Sequence, residues 1–244
     1  IYSANTLSHI KNFNEIFKAI NNALSEKGVL ILEDPSLLKC LQNVAYDQFY
    51  CEHIYVFSTL ALREILKAFN LEIFDIENTK THGGSNRYYI KKKDNNFYKI
   101  SVRVKDEIKK ELNFGLDKFS TYKKFEKKVK ISKKNLLSIF YKLKKNKSRV
   151  IGYGATAKSC TVLNYCGIGN TDIKYFFDTT SYKVNKYLPG SKILIKKYKK
   201  LNRQEVDVVY LGAWNFKEEI FNKEKSFIKN GGKFITHIPY PKII

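Results

Sequence analysis

The chain reads as an α/β protein, two units of alternating strands and helices joined by a helical connector. Three observations carry that reading. Short apolar runs at 29–33, 173–177 and 206–211 have the length and composition of buried strands. They alternate with stretches whose apolar residues recur every three or four positions, as in a helix that buries one face. Between the two sets, apolar residues at 116, 119, 122, 125 and 129, then at 136, 140 and 143, predict a helical connector over 114–143 with a break near Ile131-Ser132.

The first unit builds up in order. Phe13, Ile16, Phe17, Ile20 and Leu24 predict a helix over 12–27 ended by Gly28, and a strand over 29–33 stopped by Pro35. A helical stretch over 37–45 leads into a loop at 46–53. Ser58 is the expected N-cap of a helix running to Phe69. Strands over 72–77 and 86–91 should follow, with His82-Gly83-Gly84-Ser85 as the turn between them, where glycine lets the backbone bend sharply or approach a ligand.

The second unit opens with Val150-Ile151-Gly152-Tyr153-Gly154, a strand entering a glycine turn, and a helix through Cys166. Asp178 closes the strand over 173–177. Gly152-x-Gly154-x-x-Ala157 with Asp178 downstream fits a dinucleotide fingerprint. Small residues would admit a phosphate to the helix N-terminus, and the acid would take a ribose hydroxyl. That pattern supports an NAD-dependent oxidoreductase or a non-catalytic nucleotide-binding module. Lys158 beside the turn suits a diphosphate. Strands over 206–211 and 233–237 flank a helix over 216–228, and Trp214-Asn215 falls at the carboxyl end of a strand, where ligands dock in open sheets. His237, in an apolar strand, reads as a structural histidine with its bonds satisfied.

Composition narrows the function classes. With 244 residues and 43% hydrophobic content the chain can bury cores for about two domains. No apolar run approaches the roughly 20 residues that span a bilayer, and no signal segment opens the chain, which together predict a cytoplasmic protein with no membrane association. The net charge of +22 is concentrated between 91 and 149, where lysine dominates. Lys123, Lys124, Lys127, Lys128, Lys130, Lys133 and Lys134 read as a solvated helix face rather than a specific nucleic-acid site, which would add arginine or stacking aromatics. Cys40, Cys51, Cys160 and Cys166 form no CxxC pair, so reduced, mostly buried thiols and no metal site are expected.

The chemistry concentrates at Tyr46-Asp47-Gln48-Phe49-Tyr50-Cys51-Glu52-His53, which brings together tyrosines, carboxylates and a histidine just after a predicted strand. A histidine titrates near neutrality, a tyrosine exchanges protons, and a carboxylate orients either, so proton transfer is within reach of this set. Tyr50-x-Glu52-His53 is accompanied, in register, by Asn5-Thr6-Leu7-Ser8-His9, His82-Gly83-Gly84-Ser85, Gly152-Tyr153-Gly154-Ala155-Thr156-Ala157-Lys158, Leu163-Asn164-Tyr165-Cys166-Gly167-Ile168-Gly169, Tyr187-Leu188-Pro189-Gly190 and Ala213-Trp214-Asn215-Phe216. In these blocks, spread over nearly its whole length, the chain resembles the nucleotide-sugar C-methyltransferases.

The resemblance implies S-adenosylmethionine-dependent methylation of a sugar carbon, typically C3 of a 4-keto-deoxyhexose carried on a nucleoside diphosphate. It implies His53, Tyr50, His9 and Glu52 as catalytic residues. Substrate binding is expected at His82, Ser85, Gly152, Gly154, Lys158, Asn164 and Asn215. The implied organisation is the second half of a Rossmann-type methyltransferase domain over 1–112, a helical connector over 113–147 and a smaller Rossmann-like domain over 148–244. Family members begin with a cysteine-rich zinc-binding region and a glycine-rich turn for S-adenosylmethionine, and neither is present in a chain that opens at Ile1 and contains no methionine. The main S-adenosylmethionine pocket and any zinc are therefore expected outside these residues, the chain is read as the carboxy-terminal part of a longer enzyme, and alone it is expected to be inactive.

Overall fold

β1 (Tyr2–Ala4) lies parallel to β2 (Leu30–Pro35), with Tyr2 opposite Ile31 and Ala4 opposite Glu33. The computed structural model describes all 244 residues and divides them into two units, Ile1–Gln42 with Cys51–Phe125, and Asn43–Tyr50 with Glu126–Ile244. No helix is long and apolar enough to cross a membrane. The sequence expectation of a mixed α/β fold holds in both units.

In the first unit α1 (Phe13–Ala23) crosses from β1 to β2, starting where the Asn12 side chain accepts from the Glu15 amide. It ends four residues before the predicted limit. Leu24 leaves the helical region, and 25–28 make a tight turn in which a side chain on Gly28 would stand 2.9 Å from the Ser25 nitrogen. β2 runs on through Pro35, which pairs with Ser85 as the last residue of the strand, where a missing N–H is tolerated. α2 (Leu37–Gln42) is shorter than predicted because Val44, at φ 52, departs from the helical path.

α3 (Thr59–Lys67) carries the expected Ser58 cap. β3 (Leu71–Thr79) and β4 (Ser85–Lys92) form the predicted hairpin, and the sheet order is β1-β2-β4-β3. Its core includes Phe17, Leu30, Leu32, Leu62, Leu66 and Ile90, all with no exposed surface.

α4 (Val102–Phe114) was not predicted. Its inward face is mostly carboxylates, Glu107 and Glu111 beside Val104, so apolar periodicity is silent there. Glu111 is buried because it does a backbone's work: its oxygens accept from the amides of Thr59 at 2.8 Å and Leu60 at 2.9 Å, capping α3. α5 (Phe119–Lys145) runs unbroken through Ile131-Ser132. Ser132 belongs to the inward face with Leu136, Phe140 and Leu143, so a small polar residue in the stripe only resembled a break.

The second unit holds β5 (Val150–Tyr153), α6 (Ala157–Cys166), β6 (Phe176–Asp178), β7 (Ile195–Lys197), β8 (Val208–Leu211), α7 (Lys217–Lys223), α8 (Lys225–Lys229), β9 (Lys233–Thr236) and β10 (Lys242–Ile243). The order is β10-β9-β8-β5-β6-β7, parallel except for β10. Strands β6 and β8 are shorter than predicted, β7 and β10 were not predicted, and His237 falls just past β9. The single helix expected over 216–228 is two. They meet at Glu224, which turns inward to accept from the Tyr198 hydroxyl at 2.7 Å and the Leu201 amide at 3.1 Å. Cys40 and Cys166 are buried, Cys51 is exposed, and Cys160 is intermediate, all as free thiols.

Candidate active site

Parallel strands end together, and the loops that follow them share one end of the sheet. In the first unit the chain after β1 makes a short 3-10 turn, Leu7–His9, next to the carboxyl end of β2. Ser8 is the hub of that turn. Its hydroxyl donates to Asp34 Oδ1 at 2.7 Å, and its carbonyl accepts from the amides of Ile54 at 2.9 Å and Tyr55 at 3.1 Å. The residues flanking these contacts, His9 and His53, meet edge to face with ring centroids 5.0 Å apart. Two predicted residues far apart in sequence are thereby brought together by one serine.

Asp34 was missed by sequence reasoning, which assigned it to a strand end. It is 1% exposed, and burial pushes its carboxyl up to about 6 against the lowering effect of the Ser8 hydroxyl and amide. Its Oδ2 has no hydrogen-bond partner, and neither has Asn5 Oδ1 at the end of β1, where Asn5 takes φ 51. A signal existed in the sequence: an aspartate closing an apolar strand before proline. Glu33 next door differs, since burial raises its carboxyl but the Arg87 bond and charge more than offset that and hold it low.

The His82–Ser85 turn lies at the same end of the sheet, because Ser85 pairs with Pro35 and Ser36 donates its amide to Gly84. His82 sits at φ 53, and Gly84 at φ 128 passes so close to Lys39 that a Cβ would stand 2.7 Å from its side chain. Ser85 is buried and donates to the Thr81 carbonyl. Glu52 is exposed in the first unit, while Tyr50 is half-buried and belongs to the second. The first unit's strand-to-helix connections, 5–12 after β1 and Ser36 after β2, contain no glycine and form no glycine-lined cradle for S-adenosylmethionine.

In the second unit the chain leaves β5 to one side for β6 and β7, then returns to the other side for β8, so a switch point lies between β5 and β8. A cleft of about 330 Å³ lies there, lined among others by Gly154, Thr156, Asp178, Lys183 and Phe216. The two fingerprint glycines are explained by packing. A Cβ on Gly152 would stand 2.3 Å from the Phe176 ring, and one on Gly154, at φ 85, would stand 2.6 Å from Ala213. Asp178 bonds the amides of Ala155 and Thr180, both at 2.8 Å, so its oxygens tie the turn together where the dinucleotide reading needs them for a ribose.

Lys158 is 7% exposed, 5.5 Å from the centre of the Trp214 ring, with its charge acting on Asp47. Asn164 donates to the Pro189 carbonyl and abuts Gly190, holding the chain's own loop. Asn215 lies in the 3-10 turn Trp214–Phe216.

Residues 80–239 match the C-methyltransferase C-terminal domain, and residues 1–76 match a methyltransferase domain. Over all 244 residues the chain is 29% identical to C-methyltransferase NovU of Streptomyces niveus and spans 58% of that protein's length. Since the first of these matches extends over well more than half of the residues, the chain belongs to the C-methyltransferase family.

Proposed function

We propose that the chain activates the substrate in S-adenosylmethionine-dependent C-methylation of a keto-deoxysugar carried on a nucleoside diphosphate, and that it works in the cytoplasm. The observation that carries this reading is the His9–His53 pair, fixed through Ser8 at the carboxyl ends of β1 and β2. S-adenosylmethionine supplies an electrophilic methyl group, and carbon becomes a nucleophile only after losing a proton. A proton beside a ketone is acidic enough for a positioned side chain to remove, with the keto oxygen taking the charge.

His53 is the base in this scheme. His9, in ring contact with it, and Tyr50 stabilise the developing enolate or take the proton in its place, and Glu52 holds a sugar substituent or orients a histidine. Asp34 holds the turn that carries His9. His82 and Ser85 are substrate-binding residues of the first unit, and Gly152, Gly154, Lys158, Asn164 and Asn215 are those of the second, with Lys158 neutralising the diphosphate and with Asn164 and the glycines acting through the backbone and loops they fix.

The test needs no methyl donor. The full-length protein that carries these residues is incubated in D2O with a nucleoside diphosphate 4-keto-deoxysugar, and deuterium entry beside the ketone is followed by NMR. His53→Ala should slow entry by about 10²–10⁴-fold, the range for a positioned base, with sugar-nucleotide affinity nearly kept. Undiminished exchange in the His53, Tyr50 and His9 variants would remove this cluster from the mechanism.

A further inference from the structure

Asn43–Tyr50 is flanked on both sides by residues of the first unit yet belongs to the second. Its 3-10 turn, Tyr46–Gln48, is buried throughout. A carboxylate removed from water is costly unless it is paired and hydrogen-bonded. Asp47, with no exposed surface, accepts from the Trp214 indole at 2.5 Å through Oδ2, and the same oxygen lies 3.2 Å from His237 Nε2. The other ring nitrogen of His237 meets the Tyr210 hydroxyl at 3.1 Å, as expected of a satisfied structural histidine. Burial pushes the Asp47 carboxyl up, but His237, the indole and the Lys158 charge outweigh it and hold it below the ordinary carboxylate range.

Aspartate, histidine and a hydroxyl in line are the parts of a nucleophilic relay, but this line is closed. Asp47, His237 and Tyr210 each have 0% exposure, so no substrate atom can reach the hydroxyl. A network with no access acts on what it holds, and the held segment is strained. Val44 is at φ 52, a backbone region that a β-branched residue enters only when its surroundings force it.

We propose that Asp47 is a positioning residue: clasped by Trp214 and His237, it holds the strained Asn43–Tyr50 segment in the second unit and thereby sets where Tyr50 stands. Only the role of Tyr50 rests on the methylation reading; the clasp itself does not.

Trp214 is the single tryptophan, so a chain labelled with 15N-tryptophan shows one indole N–H. A fluorotyrosine placed at position 50 gives a second, independent signal. Asp47→Asn should move the indole proton upfield, because a neutral acceptor replaces a charged one. It should also shift or broaden the fluorine line. Trp214→Phe should disturb the fluorine line in the same way with the Asp47 charge intact, and it carries the test should Asp47→Asn fail to fold. An unmoved fluorine line in the folded variants would overturn the proposal, as would an indole signal indifferent to Asp47→Asn. Deuterium entry into a keto sugar reads neither label, so the clasp and the methylation reading fail separately.

Discussion

Asp34→Asn isolates what the buried carboxylate costs the fold. An acid whose proton is held more tightly in the folded chain than in the unfolded one lowers stability once the pH passes its unfolded value. Well below pH 4 the side chain is neutral in both states and contributes nothing. Between about 4 and 6 the unfolded chain releases its proton while the fold keeps it, and stability falls; above about 6 the loss is complete. Moving from an ordinary 3.8 to about 6, at about 1.36 kcal/mol per pH unit, makes that loss roughly 3 kcal/mol. The variant keeps an acceptor for the Ser8 hydroxyl and cannot ionise. It should match the wild type at about pH 3 and exceed it by roughly 3 kcal/mol at pH 7.5. Urea titrations read through the resonances of His9, His53 and His82, the histidines of the first unit, measure both. Curves that stay parallel from pH 4 to 7.5 would refute the assignment. The same variant should slow deuterium entry into a keto sugar, since a group that destabilises the fold is retained for what it does.

Glu111→Ala should cost about 2–4 kcal/mol in denaturant unfolding, because it strips the acceptor from two amides at the start of α3. Gly154→Ala should destabilise the second unit by more than Gly167→Ala in thermal melts. Both positions have positive φ, which costs about 1 kcal/mol, but only Gly154 meets a neighbour, with Ala213 at 2.6 Å against nothing within 4 Å of Gly167. Tyr50→Phe should reduce deuterium entry by about 10²–10⁴-fold if its hydroxyl carries or stabilises charge, as the same NMR assay reads directly.

Elements that bury an apolar stripe were legible. α1, α3, α6 and the strands around Leu30, Tyr88 and Val209 follow from hydrophobic spacing and caps. What escaped obeys a different rule. α4 packs carboxylates inward and so shows no apolar period, Ser132 in the buried face of α5 was read as a break, and α7 and α8 part at Glu224, which no helix breaker marks. Within the site, His9 and His53 were recognisable as residues, while their joining through Ser8 was not, because a bond from a carbonyl to amides 46 and 47 residues on leaves no compositional trace. The role of Asp34 and the clasp around Asp47 were hidden for the same reason: burial, which gives each its chemistry, is a property of the fold.

The detour of Asn43–Tyr50 also decides how the molecule can be taken apart. A cut after Phe125 removes Glu126–Ile244 but leaves the octapeptide behind, stripping Tyr46 and Asp47 of partners up to 190 residues downstream. Conversely, Glu126–Ile244 made alone lacks the peptide that fills the space beside His237 and Trp214. Neither half is a severable module. Exchanging the carboxy-terminal unit between relatives to alter specificity would need two crossovers, so that the octapeptide travels with the framework that surrounds it.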